Sequence, residues 1–330
     1  MRFFIKRKEI VLILVFWAVI ILAGCGPKEV KPAAESGKLR IAAAIFPAWD
    51  WTRNVLGSNP AGMELTLLVD NGVDLHSFQP SVDDILTISN ADLFLYVGGE
   101  SDQWVTDALN QANNPNLKIL KMLDVIGDAA KTEETVEGMQ AEENEDDDEA
   151  ELDEHVWLSL RNAALVIDAI AGELSVMDPE NAGTYRENAS VYKQKLSSLD
   201  EQYQKAVDAA EIKTMLFGDR FPFRYLVEDY DLSYFAAFSG CSAETEASFE
   251  TISFLARKCD ELGLPVVLTI DGSDQKIAQT IINNTASKGQ SILVLDSMQA
   301  VGAKDIRDGV TYLSVMEKNL DVLKTALEVG

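Results

Sequence analysis

Histidine is nearly absent from this chain: two in 330 residues, His76 and His155. Basic residues are also scarce, 28 Lys and Arg against 54 Asp and Glu, for a formal net charge of −26. So acidic a chain lacks the electrostatic footprint for nucleic acid or for anionic lipid, and suits cations instead. Its run of 13 apolar residues from Ile10 to Leu22 falls short of the ~20 a membrane-spanning helix needs. No H-E-x-x-H, G-x-S-x-G or C-x-x-C pattern occurs, which removes the motif-based routes to hydrolysis or thiol chemistry.

What is present concentrates around the two histidines. His76 lies in Asp74-Leu75-His76-Ser77-Phe78-Gln79-Pro80-Ser81, and His155 in Asp153-Glu154-His155-Val156-Trp157-Leu158. Neutral imidazole is the commonest metal ligand in proteins, and local structure must fix its ring. A chain that places its whole histidine content in two compact motifs points to a metal site. The plainer alternative is a pair of ordinary loop or core histidines.

The N-terminus sets the compartment. Arg2, Lys6, Arg7 and Lys8 precede the apolar run, which ends in Leu22-Ala23-Gly24-Cys25. This arrangement resembles the signal of bacterial lipoproteins, cut before a cysteine that is then lipidated. The expectation is a signal peptide over 1–24, lipidated Cys25 and a flexible tether to Gly37. Loss of residues 1–24 removes four basic and one acidic residue, taking the net charge from −26 to −29. Cys241 and Cys259 remain. A helix over Phe249–Leu262 puts about ten helical residues, roughly 15 Å, between them, whereas a bridge needs Cα atoms within about 7 Å. Two free thiols are expected.

From Leu39 onward, short apolar runs alternate with amphipathic stretches. Strands are predicted at Leu39–Ile45, Glu64–Val69, Asp92–Val97 and Leu117–Lys121, with helices at Trp49–Leu56, Val82–Ser89 and Asp102–Gln111. A second set has strands at Thr214–Phe217, Ser233–Phe238, Val266–Ile270 and Ile292–Leu295. Its helices are Phe223–Asp229, Phe249–Leu262, Asp274–Thr285 and Tyr312–Leu327. Alternation of this kind gives parallel sheets covered by helices. Between the sets, Tyr185, Ala189, Tyr192, Leu196, Leu199, Tyr203 and Val207 form one stripe on a helix over 179–209, roughly 46 Å long at about 1.5 Å per residue. Its tyrosines suit a globular wall better than a coiled-coil arm, so a monomer is expected. The fold class is therefore α/β: two lobes (38–178 and 210–330) with parallel sheets, joined by one long spine helix over 179–209. Residues 133–154 carry 13 acidic and no basic residues and are expected to form a disordered, cation-collecting loop.

These motifs resemble the zinc- and manganese-binding lipoproteins that serve as solute-binding components of metal ABC importers. The first histidine motif is similar to that family's D-x-H-x-(Y/F)-(E/Q)-P, and the second to its D-P-H-V-W-L. Asp178-Pro179-Glu180-Asn181-Ala182 resembles the start of its interdomain spine, and Tyr312 to Leu320, with one more residue between Tyr and Met, its Y-x-x-M-x-x-N-L ending. The resemblance covers nearly the whole chain. It implies a metal site in the cleft between the lobes, with His76, His155 and, from the second lobe, Asp296 as ligands. Asp296 has the alternative of a helix-capping role.

The family's third ligand opens a motif like (H/E)-(D/G)-A-F-x-Y-(F/L), matched here by Phe217 to Tyr225 with Gly218 at the ligand position. Asp219 is the nearest substitute; water, Asp271 or the acidic tract are others. Arg220 and Arg224 are expected to pair with carboxylates such as Glu244 or Glu246. Glu154 stands where the family has Pro, a change expected to leave coordination alone. Two imidazoles with carboxylates suit Zn2+, and Mn2+ is the alternative cargo. The implied function is an extracytoplasmic, lipid-anchored receptor that passes the ion to an ABC permease. The alternatives are a zinc-dependent hydrolase and an adhesin stabilised by its metal.

Overall fold

The computed structural model describes residues 38–140, 151–242 and 246–329. The expected signal peptide, Cys25 and the tether lie outside the described residues, as do 141–150 of the acidic tract and Glu244. The first lobe runs β1 (Arg40–Ala43), α1 (Phe46–Leu56), β2 (Glu64–Leu67), α2 (Val82–Ser89), β3 (Leu93–Tyr96), α3 (Trp104–Asn110), β4 (Lys118–Lys121) and α4 (Met122–Ile126). Two helices follow, α5 (Leu160–Met177) and α6 (Ala182–Ala209). The second lobe runs β5 (Thr214–Arg220), α7 (Arg224–Tyr230), β6 (Ser233–Phe238), α8 (Phe249–Leu262), β7 (Val266–Thr269), α9 (Lys276–Asn284), β8 (Ser291–Val294) and α10 (Ala303–Arg307). It closes with α11 (Tyr312–Ala326).

Each lobe holds one four-stranded parallel sheet, ordered β2-β1-β3-β4 and β6-β5-β7-β8. The two windings are the same, as expected when strands alternate with crossover helices. Helix starts follow local chemistry: Ser81 and Asp84 form a capping box on α2, and Ser159, Ser248 and Thr311 cap α5, α8 and α11.

The spine has 28 helical residues, about 42 Å at 1.5 Å per residue, after a single turn over Pro179–Asn181. Every residue of the predicted stripe is buried. Helices α1, α5 and α11 pack on it. The Tyr203 hydroxyl donates to the Met316 carbonyl at 2.6 Å. Tyr192 donates to Asp50 Oδ2 at 3.3 Å, and the Tyr312 amide donates to the same oxygen at 3.3 Å. One fully buried carboxylate thus joins α1, α6 and α11. Its burial pushes the Asp50 pKa up, with Arg53 and these donors pulling the other way. A single apolar core runs from the first sheet across the spine to the second sheet, and a smaller cluster fills the space under α8 and α9. The spine is therefore a shared wall.

Three features depart from the sequence reading. Helices α4, α5 and α10 lie outside the predicted elements. Strand β5 continues past Phe217 to Arg220, with a register shift between them. The acidic tract is not disordered at its ends. Thr132 bridges Leu152, Glu133 N donates to Glu151 O at 2.9 Å, and Gln140 N donates to Ala237 O at 3.0 Å. Met139 also packs on the core. Tertiary hydrogen bonds hold these flanks where local composition favours solvent.

The spine assignment predicts a contrast between its faces. Leu196→Ala should destabilise by about 2–5 kcal/mol through lost burial and a cavity. Val191→Ala, on the exposed side, should stay within about 0.5 kcal/mol. Denaturant midpoints of the two variants check this, and equal shifts would contradict the assignment.

Candidate metal centre

His76 follows β2 in a single helical turn, Leu75–Ser77, whose N-cap is Asp74: the Asp74 side chain accepts the His76 amide at 3.0 Å. The other Asp74 oxygen accepts Arg220 Nη2 of β5 at 2.6 Å. Burial raises the Asp74 pKa, but the Arg220 guanidinium outweighs it and holds the carboxyl below its usual range. The loop carrying His76 is thus clamped from the second lobe.

His155 is wholly buried. Asp153 Oδ1 accepts its backbone amide at 2.8 Å and lies 3.1 Å from its Nδ1. The next turn, Val156–Leu158, is buried and tied to the second lobe. Trp157 Nε1 donates to Ser297 O at 2.8 Å, and the Tyr312 hydroxyl donates to Trp157 O at 2.7 Å. The Trp157 ring lies against the imidazole, centroids 5.3 Å apart. Trp157 therefore lies against His155 and fastens its turn to the second lobe.

The two imidazoles meet, with Nε2 to Nε2 at 3.2 Å. Tetrahedral zinc with Zn–N near 2.0–2.1 Å requires about 3.3 Å between two nitrogens. Each ring is held at its other nitrogen, His155 by Asp153 and His76 by Ser101 Oγ at 2.6 Å. With Asp153 accepting from Nδ1, the His155 Nε2 is the edge left to bind. Glu154 Oε1 accepts the Ser101 amide at 2.6 Å, and its buried Oε2 lies 3.9 Å from His76 Nδ1. Glu154, standing where the family has Pro, thus holds the loop that holds His76. Burial, then the positive charge of His155, push the His76 pKa down to about 3. Burial opposes the His155 proton too, but Asp153, Glu154 and Glu133 outweigh it and its pKa is raised. The two histidines are thus shifted in opposite directions, and His155 sits where carboxylates favour positive charge.

A further side chain able to bind a metal, not singled out in the sequence, lies beside the pair. Cys241 Sγ joins His76 and His155 in a group whose ligand atoms all lie within 4.8 Å of one another. Cys241 follows β6, so like His76 it stands beyond the carboxyl end of a strand, where open α/β sheets bind ligands. Gly240 allows the approach: a Cβ there would meet His155 Cε1 and Phe221 O, each at 3.0 Å. Glu133 Oε1 accepts the Cys241 amide at 3.1 Å, and the same carboxylate accepts the thiol. Burial, then Glu133, push the thiol pKa well up. The signal available in the sequence was a cysteine just past a predicted strand end, after a glycine. Cys259, on the buried face of α8, and Cys241 are both free, so the two expected free thiols are present.

Other expected ligands are not brought into this group. Asp296 follows β8, at the edge of the sheet opposite β6, after which Cys241 lies. Asp296 instead caps a turn, accepting Met298 N at 2.8 Å while its backbone exchanges hydrogen bonds with Asn319. Burial and then Asp271 push its pKa up to about 6. Asp271 accepts the Ser297 amide and hydroxyl, each at 2.6 Å. Asp219 accepts the Arg220 amide at 2.9 Å. Gly218 does not face the histidines: a Cβ there would lie 2.5 Å from Ala278 Cα in α9. Its φ is not positive, so close packing of β5 on α9 is what demands glycine. Arg220 pairs with Asp74, and Arg224 with Glu134 at 2.7 Å and Glu228 at 2.8 Å, not with Glu246.

The sequence pattern of a family described as "ZnuA: Zinc-uptake complex component A periplasmic" matches residues 41–326. Zinc-binding protein AdcA of Streptococcus pyogenes serotype M6 is 27% identical over 309 residues, covering 92% of this chain and 58% of AdcA. The chain thus spans a little over half the length of that relative. The high-affinity zinc uptake system protein ZnuA of Bacillus subtilis is 27% identical, covering 94% of this chain and 95% of that protein. The crystal structure of the Zn(II)-bound ZnuA-like domain of Streptococcus pneumoniae AdcA superposes with a TM-score of 0.69. Identity there is 28%, covering 88% of this chain and 100% of that domain.

Because Gly218 faces α9, Gly218→Ala should cost about 1–3 kcal/mol by overpacking and leave divalent-cation affinity unchanged in the folded fraction. Paired thermal melts and metal titrations test this; lost affinity at unchanged stability would put position 218 at the ion.

Proposed function

The chain belongs to the family of periplasmic zinc-uptake complex component A proteins, and on that premise we propose that it is an extracytoplasmic receptor that captures Zn2+ and hands it to an ABC-type permease. As a member of a solute-binding transport family it is not an enzyme. The observation that carries the reading is the convergence of its only two histidines at 3.2 Å between Nε2 atoms, inside a shell of buried carboxylates. Cys25 would be lipidated and hold the receptor at the membrane, the acidic surface would gather cations, and Mn2+ is the competing cargo.

His76→Ala and His155→Ala should each lower zinc affinity by orders of magnitude in a folded protein, since no third histidine can substitute. Competitive titration against a chromophoric chelator, beside circular dichroism, reads both properties. A variant that binds zinc like the parent would remove that residue from the site and, if both did, the receptor reading with it.

A further inference from the structure

Two imidazoles do not by themselves choose between zinc and manganese. The second lobe decides what the third donor is, and the residue it brings to the pair is a cysteine: Cys241 Sγ lies within 4.8 Å of ligand nitrogens on both His76 and His155. We propose that Cys241 is the third metal ligand, a thiolate from the second lobe, and that it makes the site selective for zinc-like, thiophilic cations over Mn2+. This rests on the receptor reading above and names the chemical basis of its cargo choice.

Four observations converge on this. A tetrahedral zinc with Zn–S near 2.3 Å and Zn–N near 2.0–2.1 Å puts sulfur and nitrogen about 3.6 Å apart, so the observed spacing needs only a small closing shift. Gly240 brings the loop into contact with the His155 ring, where a Cβ would already crowd it at 3.0 Å. Glu133 holds the Cys241 backbone amide at 3.1 Å and accepts the thiol hydrogen bond, so the cysteine is oriented by an outer carboxylate in the manner of supported metal ligands. Finally, neither Asp219 nor Asp296 enters the group, so sulfur is the donor that the second lobe supplies.

On binding, the S–H bond breaks, a sulfur–metal bond forms, and the proton leaves through the Glu133 carboxylate toward solvent. Thiolate with imidazole is a donor set for zinc, whereas manganese prefers carboxylate, carbonyl and water oxygens. Three protein ligands also leave one coordination position open. An open position allows entry and exit by ligand exchange, which a carrier requires.

Cobalt(II) is the probe. The full chain loaded with Co2+ should show an intense near-ultraviolet sulfur-to-cobalt charge-transfer band together with the visible bands of a tetrahedral ion. Cys241→Ser should abolish the charge-transfer band, weaken zinc more than about tenfold and lower the ratio of zinc to manganese affinity. His76→Ala should abolish cobalt binding altogether. If the parent binds Co2+ through the histidines without a charge-transfer band, Cys241 is not a ligand and the receptor reading stands. If cobalt and zinc binding are insensitive to both histidines, the receptor reading fails and this proposal with it. The parent spectrum decides the matter even if Cys241→Ser does not fold.

Discussion

Two imidazole nitrogens held 3.2 Å apart in a buried place form an arrangement that the rest of the molecule is built to impose. Left to themselves, two such rings gain little from facing each other, and only one proton can lie between them. Here each is pinned from behind, His155 by Asp153 and His76 by the Ser101 loop that Glu154 ties down. The carboxylates of Asp153, Glu154 and Glu133 make the spot favourable for positive charge. Arg220, the guanidinium that would oppose this, is committed to Asp74.

The fold supplies the rigidity this needs. Both sheets are parallel, so both present strand carboxyl ends to loops that can converge. The 28-residue spine and the α5 helix beside it form a wall common to the two lobes. Hydrogen bonds from Trp157 to Ser297 and from Tyr312 to Trp157 fasten the His155 turn to second-lobe elements. Wide separation of the lobes would break those bonds and expose a continuous core, so small local shifts are the cheaper way to admit an ion.

Much of this was legible in the sequence, for identifiable reasons. The eight strands are short apolar runs bounded by turn residues, and the spine is a regular stripe of large side chains; both are local signals. The histidines were legible because they are only two and each is embedded in residues that later prove to hold it. Helix α5 was hidden because its apolar residues follow the second histidine motif without a separate boundary, Ser159 serving as both turn end and cap. Which second-lobe donor lies beside the histidines was not legible, because it depends on which strand ends lie together. Sequence order placed Asp296 and Gly218 at family positions, while strand order sets Asp296 at the opposite edge from Cys241 and packs Gly218 against α9. The anchored ends of the acidic tract were invisible for the same reason: their partners, Ala237 and Cys241, are distant in sequence.

The central claim is that one ion is held between the lobes by two imidazoles and one sulfur. Anomalous diffraction at the zinc absorption edge, from crystals of the zinc-loaded chain, tests it most directly. The account predicts a single strong anomalous peak bonded to His76 Nε2, His155 Nε2 and Cys241 Sγ, at about 2.0–2.1 Å from nitrogen and about 2.3 Å from sulfur. A peak bonded to Asp296 or Asp219 in place of Cys241, or lying away from the histidine pair, would contradict it.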